Sequence, residues 1–243
     1  MTAAEASAIG LVPERRPATP EERAALSFAI PTDAEAWHAL RARSLGASDA
    51  AAATGRSPWT SNVELWQIKT GRKPRPDIGD KPAVKRGHDA EPLVRAMFAL
   101  DHPEYAVEYR GAFDVVRRPG EPWYIATLDG RLVDIESDAP GILEIKTGAL
   151  ASRAAADAWA GRVPDHYFCQ VLHQFNAWPE AQFAVLVAYL EDPGPAVCRT
   201  HSTRFYRFDR PDVADDAAFL FSEERRFWRY VEEDREPPQI LPA

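Results

Sequence analysis

The chain has 243 residues, 45% of them hydrophobic, which is enough for one sizeable core rather than two independent domains. Its 29 Lys and Arg stand against 37 Asp and Glu, a formal charge of -8 that repels nucleic acid in bulk and leaves such binding to a local basic groove or to metal ions. Two cysteines, Cys169 and Cys198, exclude a four-thiolate cluster or zinc ribbon and read as reduced core residues, and with no secretion signal and no membrane-length apolar run a cytoplasmic protein is expected.

Residues 1–33 are rich in Ala, Pro, Glu and Arg and read as a flexible arm with a short helix at 21–28, ahead of one domain over 34–243. Asp33 can cap a helix carrying Ala36, Trp37 and Leu40. In S-L-G-A-S-D-A-A-A-A-T-G (44–55), Ser48 is expected to N-cap a short alanine helix stopped by Gly55, and such helix starts attract anions. Ser61 and Glu64 have capping-box spacing, and Gly71 closes that helix. After a proline-rich loop, the spacing predicts a long helix over 82–101 with Val84, Leu93, Val94, Met97, Phe98 and Leu100 on a broad apolar face. Glu91 lies within it, and Gly87, one turn earlier, offers another backbone a close approach.

Strands are predicted at 105–116, 123–128, 131–135 and 142–145, separated by P-G-E-P, D-G and D-A-P-G turns, and together they suggest an antiparallel meander. Helical text returns at 151–160 and 164–178, with Pro164 suited to a first turn. Strands at 182–190 and 198–209 precede a last helix over 211–233 with Phe219, Leu220, Phe227, Trp228 and Val231 inward. The order implies an α/β (α+β) class, with a central mixed, largely antiparallel sheet flanked by helices.

The chemistry concentrates in G-I-L-E-I-K-T (141–147). A strand here points Glu144 and Lys146 to one face, while Ile142, Leu143 and Ile145 mark it as partly buried, where charges are rare unless paired or bound to metal. Asp129, in the T-L-D-G of 127–130, faces Glu144 from a strand end, and Glu91 on the long helix supplies a third carboxylate. Hard oxygens of this kind suit Mg²⁺, which keeps water or phosphate oxygens as its other ligands. Lys146 is suited to positioning or deprotonating an attacking water. Each element alone has an ordinary structural explanation, as a turn, an ion pair or a solvated helix acid; the ordered combination is the specific signal.

The set R-G-H-D-A-E (86–91), T-L-D-G (127–130), L-E-I-K (143–146) and Y-F-C-Q (167–170), preceded by R-A-R-S-L-G-A-S-D (41–49), resembles the YqaJ-like viral recombinase family. That family includes lambda exonuclease and lies in the PD-(D/E)XK nuclease superfamily. The resemblance spans about 41–178 and implies a restriction-endonuclease-like core. It further implies Asp129, Glu144 and the carbonyl of Ile145 as metal ligands, Lys146 as the motif lysine and Glu91 as the helix acid near the metal. Arg41, Ser48 and Gln170 would hold phosphate, and Thr127 falls where the family can have a serine. Arg43 is as reachable as Arg41 by sequence.

The expected activity is a Mg²⁺-dependent exonuclease, with Mn²⁺ as a substitute, acting on double-stranded DNA ends in phage-type recombination. Polarity from 5′ to 3′, a ring-shaped homo-trimer and an annealing-protein partner are implied by the resemblance. The rivals are a restriction-like endonuclease with the same metal site and a non-catalytic DNA-end-binding protein. The linker 130–143 is acidic (Asp134, Glu136, Asp138), so basic DNA contacts are sought at Lys69, Arg72, Lys73, Arg75, Lys81, Lys85, Arg86, Arg117, Arg118, Arg153 and Arg162. Trp59 or Trp66 could stack on bases, with a core role the stronger reading for Trp66.

Overall fold

A computed structural model of the protein describes residues 30–192 and 200–240. The arm expected at 1–33 falls almost wholly outside these residues, as does Cys198. Cys169 is buried as a free thiol, and burial pushes it up to about 11.

Helix α1 (Ala34–Ala42) starts where Asp33 Oδ1 accepts the Ala36 N–H at 2.8 Å. Strand β1 (Leu45–Gly46) and a 3₁₀ turn (Ala47–Asp49) lead into a single helical turn, α2 (Ala50–Ala53). Ser48 does not cap that turn. It lies in the preceding 3₁₀ segment, and Gly55 beyond the turn takes φ +73, the left-handed conformation that glycine allows. Helix α3 (Asn62–Lys69) has Ser61 as its N-cap.

The long helix α4 spans Pro82–Asp101. Its buried apolar residues are only Val94 and Phe98, whereas Leu93, Met97 and Leu100 are 66%, 43% and 81% exposed. The apolar periodicity is therefore wider than the stripe the sheet covers. At Gly87 the close neighbour is a side chain rather than a backbone, since an added Cβ would meet Thr147 Oγ1 at 3.0 Å.

The predicted meander is divided between two sheets. Strands β2 (Tyr105–Glu108) and β3 (Val115–Arg117) come from one predicted stretch but part company, and β4 (Tyr124–Thr127) and β5 (Gly130–Asp134) do so as well. One sheet has the order β1-β4-β3; the other has the order β2-β5-β6-β7-β8, with β6 (Pro140–Ala149), β7 (Phe183–Asp192) and β8 (Thr200–Asp209). Asp129-Gly130 is thus a crossing between sheets, not a hairpin turn. Pairing is antiparallel except for β1 with β4 and β6 with β7.

Helices α5 (Arg153–Ala158), α6 (Asp165–Ala177) and α7 (Ala214–Glu232) complete the chain, with Pro164 at the N-cap of α6 rather than inside its first turn. Strand β6 has helices on both faces, as its alternation requires. Ile142 belongs to the larger core with Leu172 and Phe175 of α6, while Leu143 and Ile145 join Val94 and Phe98 of α4. On α7, Leu220, Phe227 and Trp228 are buried as expected, but Phe219 is 55% exposed. Trp66 is a core residue whose Nε1 donates to Tyr230 O, and Trp59 is exposed. Among the described residues no helix is long and apolar enough to cross a membrane.

Candidate active site

Strand β5 stops pairing with β6 at Gly130–Leu143, so the β6 edge beyond that point is open to the residue just before β5. Asp129 takes the place: its Oδ2 accepts the Ile145 N–H at 2.8 Å. The N–H and C=O of an extended residue leave the strand on the same side, so the Ile145 carbonyl is directed to the Asp129 edge as well. Arg95 Nε, on α4, holds the Asp129 carbonyl at 2.9 Å.

Glu144 and Lys146 do share a face. Glu144 is buried at 1% exposure, and Lys146 Nζ reaches its Oε1 at 2.5 Å. Gln170 Nε2, from α6, donates to the same oxygen at 2.6 Å, and Gln174 Nε2, one turn further, donates to Oε2. Lys146 also lies 5.1 Å from the centre of the Tyr167 ring. Glu91 lies half-buried on α4 with His88 Nδ1 at 3.8 Å.

These charges do not balance. Glu91, Asp129 and Glu144 are faced by Lys146 and Arg95, one cation fewer than the acids, and burial opposes the charged carboxylates further. Burial, then the neighbouring charge of Glu144, pushes the Asp129 carboxyl up to about 8. Glu91 is raised, chiefly by burial. Burial pulls Lys146 down, but Glu144 and Asp129 together outweigh it and keep the ammonium charged. The cluster therefore has room for a cation in charge. Among the described residues no group of three His, Cys, Asp or Glu side chains is arranged to hold a metal ion; Asp129, Glu144 and the Ile145 carbonyl are the oxygens that could share one.

A cleft of about 420 Å³ joins this cluster to a second one. Its lining includes Glu91, Asp129 and Gln170 together with Arg41, Ser48 and Thr127. Arg41 donates to Ser48 Oγ at 2.8 Å and stacks over Trp37 at 4.6 Å, while Trp37 Nε1 donates to Thr127 Oγ1 at 3.0 Å. Arg43 is exposed and does not line the cleft. Behind Arg41, the buried Asp49 pairs with Lys69 at 2.7 Å and with Arg75 at 2.9 Å; these cations hold its carboxyl well below the usual range against the opposing effect of burial. Three cations against one acid leave this end positive, opposite in sign to the carboxylate end.

Several of the residues sought for a basic groove have protein partners. Lys69 is buried and also donates to the carbonyls of Arg41 and Ser44. Arg72 pairs with Asp234, Lys73 with Glu64, Lys85 with Asp80, and Arg162 with Asp165. Arg118 serves the carbonyl of Asn176.

Residues 36–177 match the model of the YqaJ-like viral recombinase domain. The chain belongs to that family. The YqaJ-like chain is 28% identical over 156 residues to the uncharacterized protein YqaJ of Bacillus subtilis, a match covering 62% of this chain and 46% of that protein; it thus spans just under half of that relative's length. Among solved structures it resembles the alkaline exonuclease LHK-Exo of Laribacter hongkongensis, with a TM-score of 0.57, 20% identity and coverage of 82% of this chain and 93% of that one. The structure of LHK-Exo in complex with dAMP gives a TM-score of 0.58 at the same identity and coverage. The shared fold is restriction-endonuclease-like.

Three residues of the YqaJ-like site escape a reading of the sequence: Trp37, Arg95 and Gln174. Each stands four positions from a residue that the motifs identify, namely Arg41, Glu91 and Gln170. The i, i+4 neighbour on a helix face is the signal that would have found them.

Proposed function

We propose that this chain is a Mg²⁺-dependent deoxyribonuclease that degrades linear double-stranded DNA from its ends, 5′ to 3′, in phage-type recombination, with Mn²⁺ able to replace Mg²⁺. The observation that carries this reading is the cleft lined both by the carboxylates Glu91 and Asp129 and by the Arg41–Ser48 pair. A guanidinium and a hydroxyl match a terminal phosphate in charge and geometry, and Asp129, Glu144 and the Ile145 carbonyl offer the hard oxygens that a divalent ion takes. Leu93, Met97 and Leu100, exposed at i, i+4 and i+7 on α4, support a homo-oligomer, since they share one helix face. The dAMP complex of LHK-Exo supports a nucleotide as the ligand class.

Arg41, Ser48 and Gln170 hold the 5′-phosphate and so place the next phosphodiester beside Asp129 and Glu144. When bound, the divalent ion polarises that phosphate and offsets the charge developing on it. Lys146 orients the attacking water. The water oxygen bonds to phosphorus as the bond to the 3′-oxygen breaks; the water gives up one proton to solvent and the leaving 3′-oxygen takes one up, so the protons balance. The shortened strand carries a new 5′-phosphate, which the same pocket accepts.

Incubation of linear and covalently closed circular duplexes of one sequence with Mg²⁺ tests this reading. The linear form is consumed and the circle is untouched; nicking or linearisation of the circle would instead indicate an endonuclease.

A pH dependence follows from Asp129. Its carboxyl is near 8 in the metal-free fold and about 3.9 in an unfolded chain. The folded state binds the extra proton between those values, so this group's stabilising contribution is complete at low pH and is lost as pH rises through about 8. Burial is the first cause of that shift and the Glu144 charge the second; a divalent ion would favour the ionised carboxyl against both. The rise in Tm on adding Mg²⁺ is therefore larger at about pH 8.5 than at about pH 6. Asp129→Asn raises the metal-free Tm at the higher pH and abolishes the Mg²⁺ increment. Differential scanning fluorimetry checks both results, and equal Mg²⁺ increments at the two pH values would contradict them.

A further inference from the structure

The two oxygens of Glu144 are held differently. Oε1 is shared by Gln170, which lines the cleft, and by Lys146, whose side chain is 18% exposed. Oε2 is turned inward to Gln174, which is fully buried. Only the amide nitrogen of Gln174 can face a carboxylate, because a carboxylate only accepts, and this fixes the orientation of the amide. Its Oε1 is then left buried without a hydrogen-bond partner. An unsatisfied buried acceptor is costly, and a hydrophobic side chain of similar size would avoid that cost. Gln174 lies on α6 among Val171, Leu172 and Phe175, all of them core residues, so the position is otherwise suited to an apolar side chain.

We propose that Gln174 is a positioning residue for the metal site: it locks the inner oxygen of Glu144 so that the outer oxygen, Oε1, faces the cation. The inference rests on the reading of Asp129 and Glu144 as metal ligands and adds a residue to it. Gln170 and Lys146 both meet the outer oxygen. Were a cation held at that oxygen, Gln174 would keep the inner oxygen in place through its amide. Without Gln174 the carboxylate swings about its side-chain torsions and presents no fixed oxygen.

The test is Mn²⁺ titration by calorimetry of the wild type, Gln174→Met and Gln174→Leu, together with duplex digestion across the same Mn²⁺ range. Loss of a hydrogen-bonding partner behind a ligand typically weakens metal affinity about 10–100-fold, and that loss is expected in both variants. Because the defect is one of ligand orientation, kcat recovers toward the wild-type value at saturating Mn²⁺. Equal affinities in all three proteins overturn the inference alone. A kcat that stays low at saturating Mn²⁺, or failure of both variants to fold even with Mn²⁺ present, also overturns it, because a residue that only orients Glu144 is dispensable to the fold. If the wild type binds no Mn²⁺, it is the metal-site reading itself that fails.

Discussion

Lys146→Ala lowers kcat for duplex digestion about 10²–10⁴-fold, the range expected on removing a group that handles protons or charge at the reacting atoms. The same change leaves duplex binding in Ca²⁺ nearly untouched, because Lys146 is held by Glu144 and Tyr167 rather than by a surface that grips DNA. Glu144 and Asp129 outweigh burial in holding its ammonium charged, and a charged ammonium acts as a donor. It can orient a water through its protons and place positive charge near the phosphate. A base would have to start neutral. Single-turnover digestion with a filter-binding control separates the two effects. A variant that binds DNA far more weakly yet cleaves bound DNA at the wild-type rate would assign Lys146 to the DNA grip instead.

The second large effect belongs to Arg41. Hydrogen bonds to charged groups contribute about 1.5–3 kcal/mol each, or roughly 10–100-fold in affinity, and Arg41 offers its guanidinium beside Ser48 in a partly buried cleft. Arg41→Ala thus removes most of the preference for 5′-phosphorylated over 5′-hydroxyl ends. Ser48→Ala removes a smaller part, and Arg43→Ala none, since Arg43 is exposed away from the cleft. Competition between the two kinds of end, measured with Ca²⁺ in place of Mg²⁺, reads this directly. An unchanged preference in Arg41→Ala, or a loss in Arg43→Ala, would reassign the pocket.

Legibility in the sequence varied with how local the determining physics was. Helix α4 was readable to the residue because Pro82 sits at its first position, a signal contained in neighbouring residues. The shared face of Glu144 and Lys146 followed from strand alternation alone. The exposure of Leu93, Met97, Leu100 and Phe219 was not readable: apolar periodicity states which face could be buried, and what covers it depends on distant strands. The same limit explains the division of the meander into two sheets at Asp129-Gly130. An Asp-Gly pair favours a turn, but only the long-range pairing of β4 with β1 and of β5 with β6 makes it a crossing. The role of Lys69 was hidden for a related reason. Its neighbours Arg72 and Lys73 suggest a solvated basic run, and nothing nearby in sequence announces that Asp49, twenty residues earlier, draws it inward.

The candidate site was legible where its members share a motif, as in T-L-D-G and L-E-I-K. It was less legible where a residue acts through another one. Trp37 orders Arg41 by stacking, and Gln174 orders Glu144 through an amide; neither belongs to a motif, because each is specified by the geometry of its partner. The positive end of the cleft likewise depends on three cations from separate elements meeting one buried carboxylate.

The central claim is that Asp129 and Glu144 use a divalent ion to cut phosphodiesters at DNA ends. Its most direct test is mononucleotide release from a 5′-phosphorylated linear duplex, followed by chromatography with Mg²⁺ and with excess EDTA. The account predicts steady release of 5′-mononucleotides with Mg²⁺ and none with EDTA. Equal release in both conditions, or none with Mg²⁺ or Mn²⁺ at any concentration, would contradict it.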